Sequence, residues 1–583
     1  PAVEAFLQDF VSTRGAMEVT SSEVMNPFAG GGGNNLYRCF IDLSFRLVAP
    51  AGNAALIHQD GHLGDPNSGT FRRHWYARVA KHFNFINMIA SKNFSEIALV
   101  VQFSLNIYRG EAGDICFEQF TLAHGASQVD DSFLHDGAGE IPPLRNKENK
   151  WELAGHRDRI SMIDRETLLA IHALSETENV PIDEARFIQP YSNGILTVFE
   201  KLARFPKLDE KNSSMVSKKW HLNRLWDETG SQKRGIIKYE TKFRDLDETI
   251  IQGPMFFVGN PLFKTPRASG RGKENYDVID LMNLPIDYVP RSNFGPACER
   301  SIYASQLTRN RWDPTSKHTD YFRVAFRNMI NLTSERSLIA ALIPPGVAHV
   351  HAVESCAIAD SKSLLNLLTM SCSLPFDFLI KVSGRGGIFD AGLAAFPWVD
   401  LPDSALIRAL RLSCLTEAYA PFWNEVRPQL KVSDAESDLV FDIPNLKSED
   451  PGFWGYHSAI RSELARRQAL IEIDVLTSQA IGLTLQQLID MYRVHFPVLQ
   501  KKESNTYYDQ RGQIVWISAK GMGNVGWVDQ AGKKTTRAAW EKILADNPVD
   551  LTCTAIDDTM PGGPRTVTRH FVGPFTQCDR IED

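Results

Sequence analysis

The sequence predicts a multidomain α/β protein with four main parts. These are an incomplete helix-flanked sheet, a helical insertion, a β-rich domain, and a helical region that ends in a short β/loop tail. Length is the first reason, because 583 residues exceed what one hydrophobic core organises. The second is the alternation of helical and strand spacing over residues 1–125, which reads as a sheet flanked by helices but supplies too few strands for a complete doubly wound domain. The third is a change of texture: over 251–400 the apolar runs are short and divided by Gly and Pro, and past 400 they lengthen into helical periods. The segments are therefore 1–125, 126–250, 251–400, 401–504 and 505–583.

Taken in order, Asn35 to Val48 has helical apolar spacing and stops before Pro50, and AALIHQ (Ala54 to Gln59) reads as a short buried strand. The spacing from Thr70 to His82 predicts a second helix with Arg72, Arg73, Arg78 and Lys81 on its polar side. Ile97 to Tyr108 suits one long strand or a tight β pair. From 126 to 250 the text is polar and mostly helical, with Glu166 to Glu176 and Ile195 to Phe205 as amphipathic helices. In the β-rich segment the strand candidates are SLIAALIP, VAHVHAV and FDFLIKV. Helices follow at Ala405 to Trp423 and as a pair from His457 to about Val494, in which Gly482 ends the first and Thr484 caps the second. The tail reads as a hairpin, TYYDQRGQIVWIS, turning at Arg511-Gly512, and then as loops.

Composition is that of an ordinary soluble globular protein, with no apolar run of membrane-spanning length and no signal peptide. The eight cysteines are scattered without a metal or disulfide spacing, so a reducing cytoplasm is the expected compartment. The net charge of -7 argues against an indiscriminate polyanion binder. Between Lys201 and Lys273, however, the balance turns basic, with Lys218, Lys219, Arg224, Lys233, Arg234, Lys238 and Lys242 clustered. The chain starts at Pro1 without a methionine, which suggests that an N-terminal portion precedes it.

The stretch Gly259 to Arg300 (GNPLFKTPRASGRGKENYDVIDLMNLPIDYVPRSNFGPACER) sets basic residues on a loop beside a strand-like run, an arrangement suited to a phosphate backbone. It resembles the target-recognition region of Eco57I-like, type IIG adenine-N6 DNA methyltransferases, including the adenine methylase of DISARM phage-defence systems. The resemblance continues through Ser334 to Val353, Leu374 to Gly386 and Arg466 to Leu499, and so covers most of the chain. Near the start, NLYRCFIDLSFRLVAPAGNAALIHQDG and VVQFSLNIYRG resemble the segments that complete the catalytic, Rossmann-like sheet of these enzymes. The resemblance implies S-adenosylmethionine as cofactor, double-stranded DNA as partner, other defence-system subunits as further partners, and no membrane.

The chemistry of adenine methylation needs two motifs that this sequence lacks in usable form. GMGNVG (Gly521 to Gly526) fits G-x-G-x-x-G, but WVDQAGKK follows it where a helix is required. The base-holding Asn/Asp-Pro-Pro-aromatic motif has only partial matches, at Asn26-Pro27-Phe28, Asn260-Pro261-Leu262, Asn547-Pro548-Val549 and Ile343-Pro344-Pro345-Gly346. His349 and His351 would share one side of a strand and could seat a metal, yet no third ligand is marked. Asp130-Asp131 and DRETLLAIH lack the lysine-bearing strand a nuclease needs.

What remains is DNA recognition. The candidate contacts are Lys264, Arg267, Arg271 and Lys273 on the anchor loop, Arg291 and Asn293 after it, Lys381 and Arg385 around the SGRGG turn, and Arg72 and Arg73 after the LIHQDG strand. No catalytic residue and no metal ligand is assigned. The first reading is the C-terminal part of a DNA adenine-N6 methyltransferase, which completes its sheet and recognises its target. The second is a catalytically inactive DNA-binding or scaffolding subunit of a defence complex.

Overall fold

The computed structural model describes residues 2–29, 35–87, 94, 101–146, 150–176, 179–209, 219–268, 275–330, 334–383, 387–388, 390–432, 453–519, 521–546 and 548–583. Helix α1 spans Ala2–Ser21 and α2 spans Leu36–Leu47. Asn35 caps α2 by accepting from the Tyr37 backbone N–H, and Ile41 and Phe45 bury its inner face.

The first sheet has five strands: β1 (Asn53–His58), β2 (Val79–Ile86), β3 (Gln102–Arg109), β4 (Cys116–Ala123) and β5 (Ser161–Asp164). Their order is β1-β3-β2-β4-β5. Antiparallel β3 lies between β1 and β2, which therefore run the same way, and β4 continues parallel to β2. This mixed α/β sheet is the architecture the alternation predicts. The predicted helix Thr70 to His82 divides, however: the helix is Gly69–Tyr76, and β2 begins at Val79. His82 to Phe85 alternates polar and aromatic residues, and the aromatic residues favour a strand. The stretch 126–250 forms the helices Ala126–Leu134, Arg165–Ser175 and Asn193–Leu202, but it also supplies β5 to the first sheet.

The same stretch also holds β6 (Trp220–Asn223) and β7 (Ile237–Lys242), which with β8 (Ile250–Ile251), β9 (Lys264–Pro266), β10 (Tyr276–Val278) and β11 (Ser292–Pro296) are followed by β12 (Arg323–Arg327), β13 (Ala340–Ile343), β14 (Ala348–His349) and β15 (Val353–Ile358). They form two four-stranded sheets, β14-β8-β11-β7 and β13-β12-β15-β6, and the ribbon β9/β10. FDFLIKV is not a strand: it lies in the helix Leu374–Val382, with Pro375 in its first turn and side chains buried nearly all round. A run apolar on every face carries no period to separate strand from helix.

The helices Ser361–Cys372 and Asp403–Ser413 pack with Glu463–Ile481 in the largest core cluster. The predicted helix Ala405 to Trp423 breaks after Ser413 and resumes at Ala420–Val426, again with a proline in its first turn. Gly482, at φ 81°, ends Glu463–Ile481, and Thr484 caps Leu485–His495. Pro497–Glu503 leads to the hairpin β16 (Thr506–Tyr508) and β17 (Ile514–Ile517), which turns at Gly512 with φ 75°. The rest of the tail forms a helix, Arg537–Ala545, and the ribbon β18 (Asp550–Asp557) and β19 (Arg565–Val572), where loops were expected. Among the described residues no single helix is long and apolar enough to cross a membrane.

Candidate nucleic-acid interface

β7, IKYETK, is an edge strand paired on one side with β11. Strand alternation puts Ile237 inward and Lys238, Glu240 and Lys242 outward, where the two lysines are exposed and Glu240 is half-buried between them. The Glu240 carboxylate lies 3.1 Å from Lys242 Nζ and 3.2 Å from Lys238 Nζ, and hydrogen bonds from these two hold it below the usual carboxylate range. Lys219, Lys233 and Arg234 are exposed nearby in sequence. This part of the basic cluster is thus presented to solvent, where phosphates could be met.

The named contact residues are placed differently. Arg267 is exposed, but it grips Asp277 in a bidentate pair at 2.8–3.1 Å. Arg291 is buried: it donates to the Pro266 carbonyl at 2.8 Å, pairs with Asp558 at 3.2 Å and stacks over Phe243. Asn293 is also buried, donating to Gln252 and Tyr276 and accepting from Thr241 Oγ1 at 2.8 Å. Lys381 lies inside against Phe496 and donates to the Ser334 carbonyl. Arg72 is fully buried, donating to the carbonyls of Glu184, His62 and Asp65 at 2.9, 2.8 and 2.5 Å, while Arg73 pairs with Asp183 and Glu184. Arg72, Arg291, Asn293 and Lys381 are therefore corrected from DNA contacts to internal ties, because each is buried and bonded to other groups of the protein. Lys264 is half-buried and donates to the Gly521 carbonyl at 2.7 Å. Arg271, Lys273 and Arg385 lie outside the described residues.

Several of the remaining motifs serve local structure, while Asn547 lies outside the described residues. His349 bonds Ser355 Oγ at 2.8 Å inside the protein, and burial pushes it down to about 3. His351 lies exposed beside Arg224, so the two histidines do not converge, and no group of metal-ligating side chains occurs among the described residues. Asn26 Nδ2 ties back to Val19, and Asn260 Oδ1 accepts from Leu262 N at 3.1 Å in a tight turn. The GMGNVG loop is held by Asn524, which exchanges hydrogen bonds with Val278 of β10, and no helix opens on it: the next one begins only at Arg537. A Cβ at Gly526 would lie 2.3 Å from the Val515 carbonyl oxygen. This glycine serves a close backbone approach, and the loop does not fit S-adenosylmethionine.

One polar constellation escaped sequence reasoning. Just past the carboxyl end of β1 and against the middle of β2, Asp60 accepts from Ser104 Oγ at 2.5 Å, Asn84 Nδ2 at 2.8 Å and His82 Nε2 at 3.2 Å. His58 Nε2 is 2.6 Å from Tyr108 Oη. Burial alone would raise the Asp60 carboxyl, but His82, His62 and the Ser104 bond hold it well below its ordinary range. Burial, followed by His58, pushes His62 well down. His62 Nε2, His82 Nδ1 and the Gln119 amide are buried without hydrogen-bond partners. The only signal in the sequence is the alternation of His82 and Asn84 with Phe83 and Phe85, echoed by Ser104 and Asn106.

No protein-family model matches this chain, and no curated protein matches it. Among solved structures, the type IIG restriction endonuclease BpuSI aligns at 11% identity and TM-score 0.26, over 80% of this chain and 50% of that one. The type IIL restriction-modification enzyme MmeI, solved in complex with DNA, aligns at 8% identity and TM-score 0.27, over 80% and 51%. The chain spans about half the length of each. Similarity at this level carries no argument about fold or activity.

Proposed function

We propose that this chain is the sheet-completing and DNA-recognition portion of a site-specific DNA adenine-N6 methyltransferase of a bacterial restriction-modification or phage-defence system. One observation carries the reading: among the described residues β1 is paired only with β3, and its other edge is bare. β1 has no lysine or proline to guard that edge, and Ile57 on it is 58% exposed. Beside it α2 exposes Leu36, Phe40, Leu43 and Leu47 at helical spacing, an apolar stripe that monomeric surfaces rarely leave in water. A sheet that ends in this way is built to receive further strands, as the sequence resemblance implies.

In this reading the added strands bring the S-adenosylmethionine turn and the base-holding motif, and this chain grips duplex DNA through Lys219, Lys233, Arg234, Lys238 and Lys242. The absence of both motifs from the 583 residues favours a second reading, a DNA-binding subunit without methyl transfer.

The test is to incubate the intact protein, purified together with any polypeptide that supplies the added strands, with unmethylated duplex DNA and radiolabelled S-adenosylmethionine, then identify N6-methyladenine by mass spectrometry. Methyl incorporation that Ile57→Lys abolishes, with the unfolding midpoint unchanged, is the expected result. DNA binding without incorporation selects the binding subunit. Failure to bind duplex DNA sinks both readings.

A further inference from the structure

Three cations from separate parts of the chain meet over one aromatic floor: Lys264 of β9, Arg327 at the end of β12 and Lys502 of the helix Pro497–Glu503. Arg327 Cζ lies 5.5 Å and Lys502 Nζ 5.4 Å from the centre of the Phe257 ring. The Phe263 ring lies 5.2 Å from Phe257 and has Lys264 Nζ 5.0 Å from its own centre. All three cations are half-buried, so they are withdrawn from water yet reachable from it.

Their charge is only partly compensated. Glu335 pairs with Lys502 at 2.8 Å and also acts on Arg327, so one carboxylate serves two cations, and Asp277, the carboxylate that acts on Lys264, is already taken by Arg267. Lys264 and Arg327 otherwise donate to the backbone carbonyls of Gly521 and Phe256. Arg327 Nε is buried with no hydrogen-bond partner. Burial, then repulsion from Arg327 and Lys502, pushes the Lys264 ammonium down to about 8, and burial brings Arg327 down to about 10. Clustered cations in low dielectric are costly unless an anion completes them.

We propose that Lys264, Arg327 and Lys502 form an anion site that takes a phosphate group, seated beside Phe257 and Phe263. A guanidinium fork and two ammonium groups, brought together from three separate segments, supply several donors, which suits the several oxygens of a phosphate better than one planar carboxylate. The phosphate could belong to a nucleic-acid backbone or be free inorganic phosphate. The site stands on its own geometry, and only its DNA arm rests on the function proposed above.

Two probes of the whole chain separate these sources. Calorimetry with inorganic phosphate at fixed ionic strength detects the site itself. Lys264→Met or Lys502→Met is expected to weaken that binding by about tenfold or more, while Lys542→Met, on an exposed lysine elsewhere, leaves it unchanged. Salt titration of duplex DNA binding then reads the source. A slope reduced by roughly 0.9 in Lys264→Met places a backbone phosphate in the site, whereas an unchanged slope assigns it to free phosphate. Phosphate binding by a chain that fails to bind DNA leaves the site standing and removes the proposed function. No phosphate binding by the folded wild-type chain, or binding undiminished in both lysine variants, overturns the site.

Discussion

β2 and β7 carry the same kind of pattern with opposite results. In β2, His82 and Asn84 alternate with Phe83 and Phe85; in β7, Lys238, Glu240 and Lys242 alternate with Ile237, Tyr239 and Thr241. Both read as half-polar strands. Yet the polar side of β2 lies under Trp75 and Phe187, each within about 6.5 Å of the His82 ring, while that of β7 faces solvent at a sheet edge. Alternation tells which residues share a face. Whether that face is wet depends on what else the chain lays over it. The buried face can meet its polar groups only from within, and Asp60 bonds three of them, although His82 Nδ1 stays unpartnered.

The strongest test of this contrast is to remove the carboxylate at its centre. Asp60→Ala strands His82, Asn84 and Ser104 without their acceptor, and should cost on the order of 3 kcal/mol in urea unfolding. Glu240→Ala, which removes the outward carboxylate of β7, should leave the midpoint where it is. Equal midpoints for the two variants would mean that the Asp60 network is not the internal tie its geometry describes.

The same contrast explains what the sequence could and could not disclose. The α2 helix, β1, the break at Gly482 and the turn at Gly512 were legible because each rests on neighbours: a cap, a proline, a glycine at positive φ. Arg291 and Asn293 were misread because Asp558 and Gln252, which bind them, come from far along the chain. Arg72 likewise meets the Glu184 carbonyl across a long sequence interval. A basic residue looks alike in sequence whether a phosphate or a distant carbonyl awaits it. Lys238 and Lys242 stood out only as members of a cluster, and solvent exposure is what separates them from the buried arginines.

Acid should discriminate between the two faces more gently. Burial holds His58 and His62 below the ordinary histidine value. The unfolded chain therefore takes up protons first as pH falls below about 6.5, and stability declines until the depressed folded values are reached, by about 1.4 kcal/mol per pH unit for each histidine kept neutral. Asp60 acts in the same sense but lower on the pH scale: its contribution is present above the ordinary carboxyl range and is lost as pH falls from there towards its depressed value, below the start of the histidine window. Unfolding free energies between pH 7 and 5 should fall with pH in the wild type and less steeply in His62→Phe. Parallel profiles would remove His62 from the account.

The smallest expected change in stability belongs to β7, where function should carry the signal. Lys238 and Lys242 are about half exposed and lean on the same Glu240, so the double variant Lys238→Ala/Lys242→Ala should move the unfolding free energy by less than about 0.5 kcal/mol. If each ammonium meets a backbone phosphate, the slope of log affinity for duplex DNA against log salt should fall by roughly 0.9 per lost contact, with little change between DNA sequences. A slope unchanged in the folded double variant would reduce these lysines to guards of a free sheet edge, a role their charge performs without any ligand. A lowered slope would give β7 a second role that β2, with its polar face enclosed, has no means to share.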